Sequence, residues 1–96
     1  MERKILSPEV LSASVAKLNG WTAESGVLRK GYKFDNFAQS LDLVNRVGGL
    51  AESADHHPDI CFGWGYVDFA LTTHDAAGIT DADISLARQI DQLTSL

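Results

Sequence analysis

The sequence has one cysteine, two prolines and no basic run longer than Arg3-Lys4. A lone cysteine excludes an internal disulfide, and the apolar stretch around Cys61 marks it as a buried strand residue rather than a reactive thiol. Eight Lys and Arg against thirteen Asp and Glu give a formal net charge of −5, which leaves no basic footprint and argues against nucleic-acid binding. Long apolar runs are missing too. Met1-Glu2-Arg3-Lys4 leads into Ile5-Leu6-Ser7-Pro8, too short for a signal peptide or a membrane span, so the expected setting is the cytoplasm, away from any membrane. Low-complexity tracts, linkers and usable repeats are absent, and 45% apolar with 22% charged residues is the balance of a globular protein. A length of 96 residues leaves room for one domain, residues 1–96. A domain this small is marginally stable alone, which makes self-association a natural supplement.

What is present reads as alternating helices and hairpins. Ser7-Pro8-Glu9 predicts an N-cap, a proline at the first helical position and an acid in the first turn, followed by Leu11, Val15 and Leu18 at helical spacing up to Asn19-Gly20. Trp21-Thr22-Ala23, a turn at Glu24-Ser25-Gly26, and Leu28, Tyr32 and Phe34 on one face predict a hairpin, with Lys30 interrupting the apolar face so that the strand is only partly covered there. Asp35 is placed to cap a second helix whose shared face carries Phe37, Leu41, Val44 and Gly48, ending near Asp55. After His56-His57-Pro58, stretches Ile60 to Trp64 and Val67 to Thr73 predict a second hairpin. In the latter, Val67, Phe69 and Leu71 alternate with Asp68, Ala70 and Thr72, while Gly63 and Gly65 mark a bulge or tight turn. Thr80-Asp81-Ala82-Asp83 resembles a capping box with Asp in place of Glu, opening a third helix with Leu86, Ile90 and Leu93 on one stripe. The order α-β-β-α-β-β-α predicts an α+β fold of two layers, a four-stranded antiparallel sheet with three helices on one face.

All three histidines fall within nineteen positions. His56 and His57 stand where the second helix ends, and Pro58 pushes His57 toward an extended conformation. A returning strand brings His74 toward the same sheet edge. Imidazole exchanges protons near neutrality, and Glu52, Asp55, Asp59 and Asp75 are placed to orient one by accepting a ring N–H, so the constellation is acid-base in character. A metal site is the first competitor, but adjacent side chains in an extended segment point apart, and no paired Cys or His-x-x-x-His spacing supports it. No Gly-rich phosphate loop or nucleophile setting is present. Plainer roles stand beside these: His56 or His57 as a helix-end cap, Asp83 as a bond to the backbone of Thr80, and Trp21 and Trp64 as core or interface.

The spacing Glu52, three residues, His56-His57-Pro58, five residues, Trp64, nine residues, His74, then Asp83 resembles the signature of the pterin-4a-carbinolamine dehydratase family. The likeness extends to Gly20-Trp21, to Tyr32-Lys33-Phe34-Asp35-Asn36-Phe37, to Leu71-Thr72-Thr73-His74-Asp75 and to Gly78-Ile79-Thr80. Ile60, where many members carry an aromatic residue, and the glycine-rich Gly63-Trp64-Gly65 depart from it. The resemblance implies the fold given above, assembled as a homodimer or homotetramer. It also implies dehydration of 4a-hydroxytetrahydrobiopterin, the product of an aromatic amino acid hydroxylase, to quinonoid dihydrobiopterin without a metal or other cofactor. It makes His56 and His74 the acid-base pair and has His57 hold the pterin beside them. Glu52, Asp55 and Asp83 orient ring groups or imidazoles, and Pro58, Thr73 and Trp21 complete the substrate-binding set. Two alternatives accompany it: a non-catalytic interaction protein or dimerisation cofactor, as some animal members are for a homeodomain transcription factor, and a pterin-binding protein without turnover.

Overall fold

The computed structural model describes residues 4–95, so the charged start at Met1, Glu2 and Arg3 lies outside the described residues. Helix α1 spans Pro8–Ala16, hairpin strands β1 and β2 span Thr22–Glu24 and Val27–Lys33, and α2 spans Phe37–Ala54. Strands β3 (Asp59–Gly63) and β4 (Tyr66–Leu71) follow, then a short 3₁₀ turn over His74–Ala76 and helix α3 over Asp81–Thr94. The four strands form one antiparallel sheet in the order β1-β2-β4-β3. In its centre Leu28 pairs with Leu71 and Tyr32 with Val67, and on the edge Ile60 pairs with Phe69. This is the expected element order and class.

Period-two alternation decides which face is covered. Leu28, Val67, Phe69 and Leu71 are buried against Leu43 and Val47 of α2 and Ile84, Leu86, Ala87 and Ile90 of α3, and Leu11 and Val15 of α1 pack on the same cluster. Arg29, Gly31, Asp59, Cys61 and Asp68 lie on the open side of the sheet. Removing side chains such as Phe69 and Leu86 from water contributes about 1.5–3 kcal/mol each.

Several local expectations are corrected. Asn36, not Asp35, caps α2: its Oδ1 accepts from Gln39 N at 2.9 Å while the Gln39 side chain accepts from Asp35 N at 2.8 Å. The buried face of α2 is Ser40, Leu43, Val47 and Ala51, so Phe37 and Leu41 of the predicted face point outward. Helix α1 ends at Ala16, before Asn19-Gly20, and Trp21 precedes β1 as a buried core residue. Trp64 sits outside β3, 72% exposed. Strand β4 ends at Leu71, so His74 opens the 3₁₀ turn rather than closing a strand. Cys61 is exposed, because it alternates out of phase with the inward Ile60 and Phe62.

Lys30 departs from expectation in a different way. Its side chain is covered, 10% exposed, and its ammonium reaches Asp91 Oδ1 at 3.0 Å while lying 4.7 Å from the Tyr32 ring centre. Asp91 also accepts from Trp21 Nε1 at 2.8 Å and Asn19 N at 2.9 Å, tying the last turns of α3 to the first hairpin. Burial lowers the affinity of Lys30 for its proton, but hydrogen bonds and charge at Tyr32 and Asp91 together outweigh this and raise its pKa above the usual lysine value.

Candidate active site

The site is built where α2 ends, β4 ends and α3 begins. Helix α2 stops because Asp55 takes a left-handed conformation at φ 51 and ψ 42, one that Asp tolerates better than most side chains. Asp55 N donates to Glu52 O at 3.3 Å and His56 N to Ala51 O at 3.2 Å, the paired bonds of a Schellman termination. His56 is therefore held by its own backbone N–H at the helix exit. This local geometry aims its ring at α3.

There the His56 ring meets Asp83, with Nε2 and Oδ1 2.6 Å apart and side-chain exposures of 13% and 0%. The other carboxylate oxygen, Oδ2, accepts from Thr80 N at 2.9 Å and Thr73 Oγ1 at 2.8 Å. Thr80 caps α3, its Oγ1 accepting from Ala82 N at 3.2 Å. The capping box predicted for Asp83 is thus present, and one oxygen of the same carboxylate serves the box while the other holds His56. The plain and the site readings of Asp83 coexist.

Thr73 carries the third element. Its N–H donates to Gly78 O at 2.9 Å, closing a narrow loop over residues 74–77 that presents His74 to solvent. The His74 ring makes no hydrogen bond to a described residue, so both of its nitrogens are available. His56 bonds this carboxylate directly, and His74 follows Thr73, whose hydroxyl donates to the same carboxylate. His57 is exposed and hydrogen-bonded through Nε2 to Glu52, itself 78% exposed, and a contact so solvated contributes little to stability. Pro58 is half-buried beside it, and Asp55 is exposed.

Trp21 is not brought to this cluster; it belongs with Lys30 and Asp91 near the far end of α3. A cleft of about 790 Å³ also lies at the opposite end of the sheet, bounded by Phe34, Asn36 and Leu93. It lacks paired imidazoles, so we place the candidate chemistry at Asp83. Among the described residues, no group of three or more His, Cys, Asp or Glu is arranged to hold a metal ion. Nor is any helix among them long and apolar enough to cross a membrane. Sequence reasoning missed Thr80 as part of the site, because its cap role is legible locally but its contact with Thr73 is not.

A carboxylate-held imidazole at His56, and a second imidazole at His74 with no hydrogen-bond partner among the described residues, are groups able to exchange protons near neutrality, carried on an α+β sheet fold. The family model described as pterin 4 alpha carbinolamine dehydratase matches residues 4–93, and the chain belongs to this family. A protein of Mycolicibacterium vanbaalenii is 47% identical over 87 residues, 91% of this chain and 94% of its own. One of Rubrobacter xylanophilus is 44% identical over 89 residues, 92% of this chain and 83% of its own. Both carry the name "Putative pterin-4-alpha-carbinolamine dehydratase". A crystal structure of a "transcriptional coactivator/pterin dehydratase" from Brucella melitensis superposes with a TM-score of 0.91 at 26% identity, covering 96% of this chain and 100% of that one. A pterin dehydratase-like protein described as a RuBisCO assembly factor in the alpha-carboxysome aligns with a TM-score of 0.63 at 25% identity, covering 78% and 87%.

Proposed function

We propose that the protein is a 4a-hydroxytetrahydrobiopterin dehydratase, a cytoplasmic single-domain hydro-lyase of tetrahydrobiopterin recycling acting after an aromatic amino acid hydroxylase. The observation that carries this reading is the His56–Asp83 bond with His74 displayed one residue beyond Thr73. Loss of water from C4a needs a proton delivered to the leaving hydroxyl and another removed from a ring nitrogen. Two imidazoles on separate elements suit those transfers. His74 and His56 form the acid-base pair, exposed His57 with Glu52 holds the pterin, and Asp55 and Pro58 shape the chain between them. Such groups contribute roughly 10²- to 10⁴-fold each.

Stopped-flow absorbance of freshly generated 4a-hydroxytetrahydropterin tests this. Its decay is accelerated by the protein, and His74→Ala removes roughly 10²-fold or more of that acceleration while circular dichroism stays native. No acceleration by folded wild type refutes the reading and favours a binding or assembly role, of the kind described for the alpha-carboxysome relative.

Self-association through α2 belongs to the same proposal. Phe37 and Leu41 are 45% and 40% exposed, and they share a stripe with half-buried Val44 and Gly48. Phe37 and Gly48 are equally far from a centre between Asp42 and Leu43, as are Leu41 and Val44, so a two-fold antiparallel pairing sets each knob against its counterpart. A Cβ at Gly48 would meet nothing within 4 Å, which leaves room for the partner's Phe37 ring.

A further inference from the structure

Hydrogen counting at Asp83 fixes more than contacts. Thr73 Oγ1 lies 2.8 Å from Asp83 Oδ2 and 2.7 Å from Thr80 Oγ1, yet a hydroxyl has one proton to give. An ionised carboxylate only accepts, so the Thr73 proton goes to Asp83 and the proton between the two threonines comes from Thr80. Thr80 Oγ1 keeps a lone pair for Ala82 N, as the 3.2 Å contact requires. The relay therefore runs one way, from Thr80 to Thr73 to Asp83, with every member buried. Applied to the other oxygen, the same rule leaves Oδ1 to accept from His56 Nε2.

We propose that Thr80 and Thr73 are positioning residues: acting through Asp83, they hold His56 as its Nε2–H tautomer and leave Nδ1 as the proton-accepting atom of the site. Two donors on Oδ2 stop the buried carboxylate from turning, so Oδ1 stays on the imidazole. The same hydroxyl of Thr73 registers the loop bearing His74 to His56, which sets two groups from different elements in a fixed relation. Neither threonine needs to touch substrate. The catalytic use of Nδ1 rests on the dehydratase reading, whereas the tautomer is a property of the protein alone.

Nitrogen-15 NMR of histidine-labelled protein at neutral pH, without substrate, decides the tautomer, with His56 assigned from the resonances lost in His56→Gln. The expected spectrum has Nε2 protonated and Nδ1 bare. A wild-type spectrum with the proton on Nδ1 overturns the proposal. Thr73→Val is expected to give mixed tautomers, and Thr73→Ser, which keeps the hydroxyl, to restore the single form. An unmixed Thr73→Val spectrum in folded protein removes the threonines from the relay. In the dehydration assay Thr73→Val loses about tenfold in kcat with KM nearly unchanged, below the 10²- to 10⁴-fold of a group that moves the proton itself, and Thr73→Ser recovers it. Equal kcat in the two variants overturns the catalytic use of the relay. If wild type turns over no pterin, the dehydratase reading fails, but the spectra still decide the tautomer.

Discussion

Replacing Asp83 with asparagine tests the centre of this site while changing almost no volume. The side chain is fully buried and accepts from Thr80 N, Thr73 Oγ1 and His56 Nε2. In Asp83→Asn the amide oxygen can keep the two donors now on Oδ2, but its NH₂ then faces His56 Nε2, two donors at the 2.6 Å contact. His56 must move its proton to Nδ1 or lose the bond. Bonds to a charged group contribute about 1.5–3 kcal/mol and neutral ones about 1 kcal/mol. Three weakened bonds, offset by relief of carboxylate burial, give a net loss of about 2–3 kcal/mol. For a chain of this size that is a Tm fall of about 8–24 °C, read by differential scanning calorimetry. The dehydration rate falls as well, because Nδ1 is occupied in the surviving tautomer. A Tm within a degree of wild type, with full activity, would show that this carboxylate is not both cap and imidazole anchor.

Lys30→Met loses the charged bond to Asp91, about 1.5–3 kcal/mol at neutral pH, while Asp91 keeps Trp21 Nε1 and Asn19 N as donors. Because the folded protein raises the Lys30 pKa, the stabilisation is whole below the unfolded lysine value of about 10.4 and fades as pH climbs through the folded value. The Tm gap between wild type and Lys30→Met should narrow above that pH; a gap constant into strong alkali argues against the ion pair as its source. Phe37→Asp places charge on the outward stripe of α2, where Phe37 is 45% exposed, and should shift sedimentation equilibrium toward the monomer with little loss of fold. A wild type that is monomeric at all concentrations removes the α2 pairing.

Much of the fold was legible because it is written in local chemistry. Ser7-Pro8, Thr80 with Asp83, and the alternation of Val67, Phe69 and Leu71 each act over a few residues, and each formed as its pattern implies. Asp35 and Asn36 both suit an N-cap, and the choice fell to Asn36 because Gln39 reaches back to Asp35 N from one position only. Cys61 is exposed despite its apolar neighbours, since apolar surroundings along the chain say nothing of which side of a strand is covered. Helix α2 carries two apolar stripes, Phe37-Leu41-Val44-Gly48 and Ser40-Leu43-Val47-Ala51, and no local rule ranks them. The sheet chose the second.

The element order, the helix exit that carries His56 and His57, and the kinds of side chain available for proton transfer were already readable along the chain, because capping, turn formation and side-chain chemistry are short-range. Packing alone settled that Asp83 serves His56 across 27 positions of chain and that Thr73 joins Thr80 on that carboxylate. It also decided that Lys30 is half-buried against Asp91 while Trp21 stands apart from the histidines. Those outcomes depend on how α3 docks on the sheet. That docking is set by the burial of many apolar side chains at once, and no spacing along the chain records it.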